Sequence, residues 1–242
     1  MAKDNIYEAP LNQVGDFEFD DAVADVFPDM IRRSVPGYSS MLSMVAQCAR
    51  QYSQPQTEIW DLGCSLGACT MLMHEQAASD CQIVAVDLSS SMLKRLQATI
   101  ERRQIPSARI ALHEADIRDV AVQNASFVCL NLTLQFLPQN ERTAVLKSVS
   151  EGMNSGAALL LSEKVSFEDA DQQKLMTNLH HDFKRAHGYS DLEISQKRTA
   201  IENRLVPETL QQHTQRLKQV GFGTVSVWFQ CFNFASILAI KP

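Results

Sequence analysis

The chain has 242 residues, with 22 Lys and Arg against 28 Asp and Glu, a formal net charge of −6. Its 45 % hydrophobic and 21 % charged residues are globular values that exclude a disordered or fibrous chain and, at this length, favour one large domain over two cores. The acidic balance lowers the case for direct binding of nucleic acid, and no apolar run approaches the roughly 20 residues needed to span a bilayer.

The N-terminal stretch MAKDNIYEAPLNQVGDFEFD is polar with scattered aromatics. It lacks the apolar core of a signal peptide, so cytoplasmic residence is the default expectation, and the stretch reads as an arm packed over another part of the molecule. From Asp20 to about Ile31, Val23, Val26, Phe27 and Met30 recur at helical spacing, with a kink or break expected at Pro28. A Pro-Gly turn ending in Tyr38 follows, and then Met41, Met44, Val45 and Cys48 mark a second amphipathic helix.

From residue 57 short apolar runs alternate with helical patterns. The runs at 58–63, 82–87, 109–116, 126–132 and 157–163 are near-continuous, as befits strands buried on both faces. Helical patterns at about 67–79, 89–104 and 138–153 separate them. This alternation predicts an α/β fold, a doubly wound, seven-stranded, mostly parallel sheet. VSVWFQCFN and FASILAIKP, almost contiguous, read as an antiparallel hairpin at its C-terminal edge. Residues 166–220 are polar and helix-rich and read as an insertion over the strand ends. The whole chain, 1–242, is taken as a single domain, with 1–52 its N-terminal arm and helices.

The first strand-loop-helix reads Asp61-Leu62-Gly63-Cys64-Ser65-Leu66-Gly67. In doubly wound sheets ligands bind beyond the strand carboxyl ends, where Gly63 permits a conformation closed to other residues and Gly67 lets the helix pack close. Asp87 ends the second strand, suited to the two hydroxyls of a ribose. Asp116-Ile117 ends the third, with a carboxylate for the amino group of adenine and an apolar flank for its face. An acid at a strand end is also commonly a helix cap, but the three features in register select an adenosine-containing ligand. A dinucleotide fingerprint needs glycine where Ser65 stands, and Asp61 would repel a pyrophosphate while favouring an ammonium or sulfonium. The pattern is similar to class I S-adenosylmethionine-dependent methyltransferases.

Longer stretches carry a closer likeness. VFPDMIRRSVPGY (26–38), DLGCSLGA (61–68), LNLTLQFL (130–137), LSEKVSFED (161–169), HHDFKRAHGYSDLEISQKR (180–198) and WFQCFNF (228–234) resemble the carboxy-S-adenosyl-L-methionine synthase family over nearly the whole chain. The resemblance implies an enzyme that takes prephenate, releases phenylpyruvate, and attaches the freed carbon dioxide to the methyl carbon of S-adenosyl-L-methionine. The product would serve a partner enzyme that carboxymethylates the wobble uridine of tRNA, so this chain need not bind RNA. The resemblance also implies a homodimer and assigns roles. Tyr38 closes over the ligand, and Gly63, Cys64 and Ser65 lie beneath its amino-acid end. Asp87 takes the ribose. Leu88, at a position commonly Asn in the family, contributes only its backbone. Asp116 and Ile117 hold the adenine, Asn131 faces the sulfonium region, and Arg198 binds the carboxylate of the product. A guanidinium suits that anion because it offers two parallel hydrogen bonds.

Other features have blander readings. The six cysteines form no CxxC pair, and no nearby His is expected to activate Cys64 as a nucleophile. His180-His181 lacks partners at metal spacing, so no metal is expected. Lys184, Arg185, Lys197 and Arg198 suit either a solvated face or the carboxylates of prephenate, with Arg32 and Arg33 as further candidates. The aromatic edge around Trp228, Phe229, Phe232 and Phe234 suits a dimer contact. An ordinary methyltransferase acting on tRNA or a small molecule is the alternative enzyme, and a ligand-holding subunit of a tRNA-modification complex the non-enzymatic one.

Overall fold

A computed structural model describes residues 2–202 and 204–242. The elements run α1 (Asp21–Ser34), α2 (Tyr38–Tyr52), β1 (Glu58–Leu62), α3 (Ala68–Gln76), β2 (Gln82–Asp87), α4 (Ser90–Arg102), β3 (Ile110–Glu114) and β4 (Ala125–Asn131). A 3-10 turn at Leu134–Phe136 leads to α5 (Gln139–Gly152), β5 (Met153–Ser166), α6 (Ala170–Ala186), α7 (Asp191–Ile201), β6 (Glu208–Thr209), α8 (Leu210–Gln219), β7 (Thr224–Cys231) and β8 (Phe234–Ile240). The sheet order is β3-β2-β1-β4-β5-β8-β7, with β6 a short addition beside β5. The pairs from β3 to β5 are parallel, whereas β8 runs antiparallel to both β5 and β7.

The near-continuous apolar runs are explained by two faces that are both covered. Trp60, Leu62, Val84, Val86, Val128 and Leu130 join one core with α5 and α8. Their alternate neighbours Ile59, Ile83, Ala85, Phe127 and Cys129 join the other, with α2, α3 and α4. The order of the strands reverses direction between β1 and β4, which opens the ligand crevice at the end of β1.

Three details differ from the periodicity. Pro28 does not break α1, which continues to Ser34. Asp20 caps its start on the Val23 N–H at 2.9 Å, and its buried face, Val23, Ala24, Val26 and Met30, packs with Tyr7, Phe17 and Met92. Burial of that face outweighs the hydrogen bond Pro28 cannot donate. β5 is longer than its apolar run, reaching Ser166, where β6 pairs with it. Within 166–220, α6 and α7 lie by the crevice, but α8 places Leu217 in the core beneath the sheet. The N-terminal arm packs on α7: the Phe17 N–H donates to the Ala200 carbonyl at 3.0 Å, and the Leu11 N–H to Gln196 Oε1 at 2.7 Å. No helix among the described residues is long and apolar enough to cross a membrane.

Candidate active site

A cavity of about 730 Å³ opens at the carboxyl ends of β1, β2 and β4 and runs beneath α1, α6 and α7. Its floor is the turn after β1. Gly63 has φ +84°, and a Cβ there would lie 2.2 Å from Thr133 Oγ1, so only glycine brings this backbone against the loop after β4. Gly67 has φ +80°, and a Cβ on it would lie 2.3 Å from Leu96. Ser65 stands in the left-handed region at φ +50°, the conformation that a glycine would adopt without strain.

The acids around this turn differ in environment. The Asp87 carboxylate accepts from the Ser65 N–H and the Ser89 N–H, each at 2.8 Å. Burial pushes its pKa up, opposed by these amides and that of Leu88. Asp116 is gripped by Arg118, whose Nη2 is 2.6 Å from Oδ2 and Nε 2.9 Å from Oδ1, and this pairing holds its pKa below the usual range. Arg118 in turn contacts Glu141 at 2.7 Å. Asp61 is not on the cavity wall but fully buried behind it, accepting from Thr70 Oγ1 at 2.6 Å. Burial pushes Asp61 up to about 7, with the nearby charge of Asp87 adding to the rise.

Asn131 ends β4 with its Nδ2 3.5 Å from Cys69 Sγ, while its Oδ1 is buried without a partner. Such an orphaned acceptor on a cavity wall fits a ligand N–H. The glycine turn, Asp87 and Asn131 thus bring backbone and side-chain polar groups to one cavity wall. Tyr38 begins α2 as a buried wall residue, and burial pushes its hydroxyl far up. The Cys64 thiol is also raised well above its ordinary value by burial and then by Asp61 and Asp87, so it stays protonated and unsuited to nucleophilic attack.

The loop after β4 is held from below. Glu163, buried on β5, accepts from the Leu134 and Gln135 N–H groups at 2.9 Å each. Arg142, fully buried, pairs with Glu208 at 2.6 Å and donates to the carbonyls of Gln135, Leu137 and Val206. These charges tie the loop to the segment returning from α7. Phe19 stacks edge-on with Phe136 at 5.4 Å and with Phe27 at 6.0 Å, so the N-terminal arm adds an aromatic rim.

Curated relatives named carboxy-S-adenosyl-L-methionine synthase match almost end to end. The one from Klebsiella pneumoniae is 49 % identical over 99 % of this chain and 97 % of its own, and the one from Escherichia fergusonii is 50 % identical over the same shares. The chain belongs to the carboxy-S-adenosyl-L-methionine synthase family. A methyltransferase-domain family model also matches residues 59–156, the part from β1 into β5. Among solved structures, magnesium protoporphyrin IX methyltransferase from Synechocystis, with SAH bound, aligns with a TM-score of 0.62 at 14 % identity, covering 94 % of this chain and 90 % of that one. An O-methyltransferase family protein from Burkholderia thailandensis aligns at 0.64 and 16 % identity, covering 92 % and 60 %. These distant likenesses establish the fold. Family membership makes the chain an enzyme that uses S-adenosyl-L-methionine.

Nine of the ten residues singled out for this family line the one cavity: Tyr38, Gly63, Cys64, Ser65, Asp87, Leu88, Asp116, Ile117 and Asn131. Leu88 is at its edge, 68 % exposed. Arg198 is not on the wall within its own chain. The buried face of α7 carries Glu193, Ile194, Gln196, Lys197 and Ala200, which turns Arg198 outward with its side chain 65 % exposed, 3.8 Å from Glu202. Its charge nevertheless reaches Lys164 and His181 and helps hold both pKa values down. His180 and His181 lie with ring centroids 6.3 Å apart. His180 donates from Nε2 to the Ser34 carbonyl at 2.8 Å, and burial pushes it down to about 2.

The sequence reading missed Arg118, Lys164 and Arg204 on the cavity wall. Only Lys164 left a signal, as the one cation in the sequence of β5.

Proposed function

We propose that this enzyme converts S-adenosyl-L-methionine and prephenate to carboxy-S-adenosyl-L-methionine and phenylpyruvate, and so supplies carboxymethylation of the tRNA wobble uridine in the cytoplasm. The observation that carries the reading is a single cavity with acids at its nucleoside end and an excess of cations at its other end, in a chain half identical to synthases of this product. In the proposed step, the bond from the prephenate ring to its carboxylate breaks, and hydroxide leaves the opposite ring carbon. The hydroxide takes a proton from the sulfonium methyl and becomes water. The methyl carbon, keeping that electron pair, bonds to the released carbon dioxide, and charge balances without an external oxidant or a protein base.

Asp87 is assigned to the ribose, Asp116 and Ile117 to the adenine, and Asn131 and the Gly63–Ser65 turn to the amino-acid end, with Leu88 contributing backbone and Tyr38 closing the wall. Arg198 is assigned to the new carboxylate, within a homodimer. Its outward position, with its charge felt by Lys164, suits service to the cavity mouth of its own chain or of a second copy, and the half-exposed aromatic strand β7 offers an apolar edge for pairing. A separate enzyme would handle the tRNA, consistent with a net charge of −6.

The test is to incubate the protein with S-adenosyl-L-methionine, with and without prephenate, and weigh the nucleoside. Gain of a carboxyl group only with prephenate is expected. Loss of the methyl would make it an ordinary methyltransferase, and no change a binding subunit. Arg198→Ala should abolish carboxylation and keep S-adenosyl-L-methionine binding, so a normal rate of product formation in that variant removes Arg198 from the mechanism.

A further inference from the structure

Where the cavity passes beneath α6 and α7, its wall carries Lys164, Lys184 and Lys197. They arrive from separate elements: Lys164 from the end of β5, Lys184 from α6 and Lys197 from α7. Lys197 is only 7 % exposed, with Nζ 3.1 Å from Ser34 Oγ and 3.5 Å from Asp4 Oδ2. Asp4, drawn in from the N-terminal arm and 1 % exposed, also accepts from the Tyr189 hydroxyl. Among the described residues, neither Lys164 nor Lys184 has a carboxylate within ion-pair distance. Of the three ammonium groups only that of Lys197 thus has a carboxylate partner, and Asp4 is already engaged by Tyr189. His180, in the same wall, is neutral and does not change the count.

Lys197 is buried and Lys164 and Lys184 are partly so, and an unbalanced cluster of this kind is costly because its charges have lost part of their water and repel one another. Protein folds keep such clusters where an anion arrives to balance them. Between the lysines and the turn after β1 the wall is apolar, formed by Val35, Tyr38, Leu132 and Phe234, which suits a carbon ring.

We infer that Lys164, Lys184 and Lys197 form the subsite for the second substrate, binding the two carboxylates of a dicarboxylate whose ring lies against Tyr38 and Phe234. The inference rests on the proposed function for the identity of that dicarboxylate. The excess of positive charge suits the two negative charges it brings. Asp4 is then the internal carboxylate that keeps Lys197 in place in the absence of substrate. The strained electrostatics of the cluster accord with this. Burial, and then Lys197 and Lys164, push Lys184 down to about 7, while burial pushes Lys197 down to about 8 against the opposing pull of Asp4. Lys164 is lowered by burial and by Arg198.

The experiment is calorimetric titration of prephenate into the full chain preloaded with S-adenosylhomocysteine, for the natural protein and for Lys164→Met, Lys184→Met and Lys184→Arg. Each Met variant, which keeps the apolar stem, is expected to weaken prephenate binding by about thirtyfold or more. S-adenosylhomocysteine affinity should stay unchanged, and Lys184→Arg should restore most of the loss. In the absence of ligand the Met variants should melt at a higher temperature than the natural protein, because a like charge has gone; a lysine serving structure alone would give the opposite. The subsite is overturned if the natural protein binds no prephenate, or if the Met variants bind it as well as the natural protein does. Product formation separates this result from the function. Lysine-dependent binding without carboxylated product sinks the proposed reaction and leaves the subsite, and product formed with an unchanged KM in the Met variants does the reverse.

Discussion

The two ends of the cavity solve opposite electrostatic problems. At the nucleoside end the charges are satisfied before any ligand arrives: Asp87 is held by two amide N–H groups and Asp116 by a bidentate arginine. At the other end, three lysines line the wall and, among the described residues, only Lys197 has a carboxylate partner, Asp4. The first is preorganised: its carboxylates are already fixed in place and keep lone pairs free for the hydroxyls and amino group of the ligand proposed above. The second is charged against the cost of burial and is completed only by an anion.

The largest effect is expected where the satisfied end is broken. Asp87→Ala removes the acceptor of the Ser65 and Ser89 amides together with the ribose partner. Affinity for S-adenosyl-L-methionine should fall about a hundredfold, about 3 kcal/mol, as measured by calorimetry. A change of less than about threefold would detach Asp87 from the ligand. Gly63→Ala comes next. Its Cβ would fall 2.2 Å from Thr133 Oγ1 at φ +84°, so the turn and the loop after β4 must part. A loss of about 2–4 kcal/mol in unfolding free energy is expected. Adding Thr133→Gly should recover the part due to overlap and leave the part due to φ, and a double variant no better than the single one would show that the two loops are not in contact.

The same contrast explains what could be read from the chain. The nucleoside end is built from residues at the ends of consecutive strands, so the spacing of Gly63, Asp87 and Asp116 in an α/β pattern carried their convergence. The mostly parallel sheet and the C-terminal hairpin followed from apolar runs and their separation for the same reason. The cationic end is assembled from β5, α6, α7 and the arm, with Asp4 and Lys197 nearly the whole chain apart. Local periodicity has no term for such a meeting. It placed Lys184, Lys197 and Arg198 in one charged stretch, but one residue of helical phase sends Lys197 inward and Arg198 outward. Pro28 failed as a helix breaker because the buried face of α1 decides its length.

The pH dependence of stability sharpens the contrast. Lys184 is held at about 7 in the folded chain, well below its ordinary value, so between pH 7 and the ordinary lysine range the unfolded chain binds more protons. Its destabilising effect is therefore complete below pH 7 and fades as pH rises. The groups facing it are Lys197, Lys164 and Asp4, with His180 and His181 on its own helix. Lys184→Met should consequently stabilise the ligand-free protein by about 1–2 kcal/mol at pH 6.5, with a gain that shrinks toward pH 9 in denaturant titrations. A pH-independent gain would mean that the methionine acts by packing and that the lysine bears no strained charge.

The smallest effect tests whether the nucleoside end is as relaxed as its hydrogen bonds suggest. Ser65 occupies the left-handed region at φ +50°, where a side chain costs about 1 kcal/mol and glycine does not. Its Oγ contributes one weak contact, 3.4 Å to Met92 Sδ, and its amide reaches Asp87 whatever the side chain. Ser65→Gly should relieve the strain but also widen the freedom of the unfolded chain, leaving a net gain under about 1 kcal/mol. S-adenosyl-L-methionine affinity should remain within about twofold. A loss of more than about 1 kcal/mol would instead give the hydroxyl a role in fixing Met92, and with it the packing of α4 beneath the turn. Either sign separates the two ends further, since removing a side chain at the nucleoside end changes strain by a small amount, whereas removing one at the cationic end changes the charge that the second substrate meets.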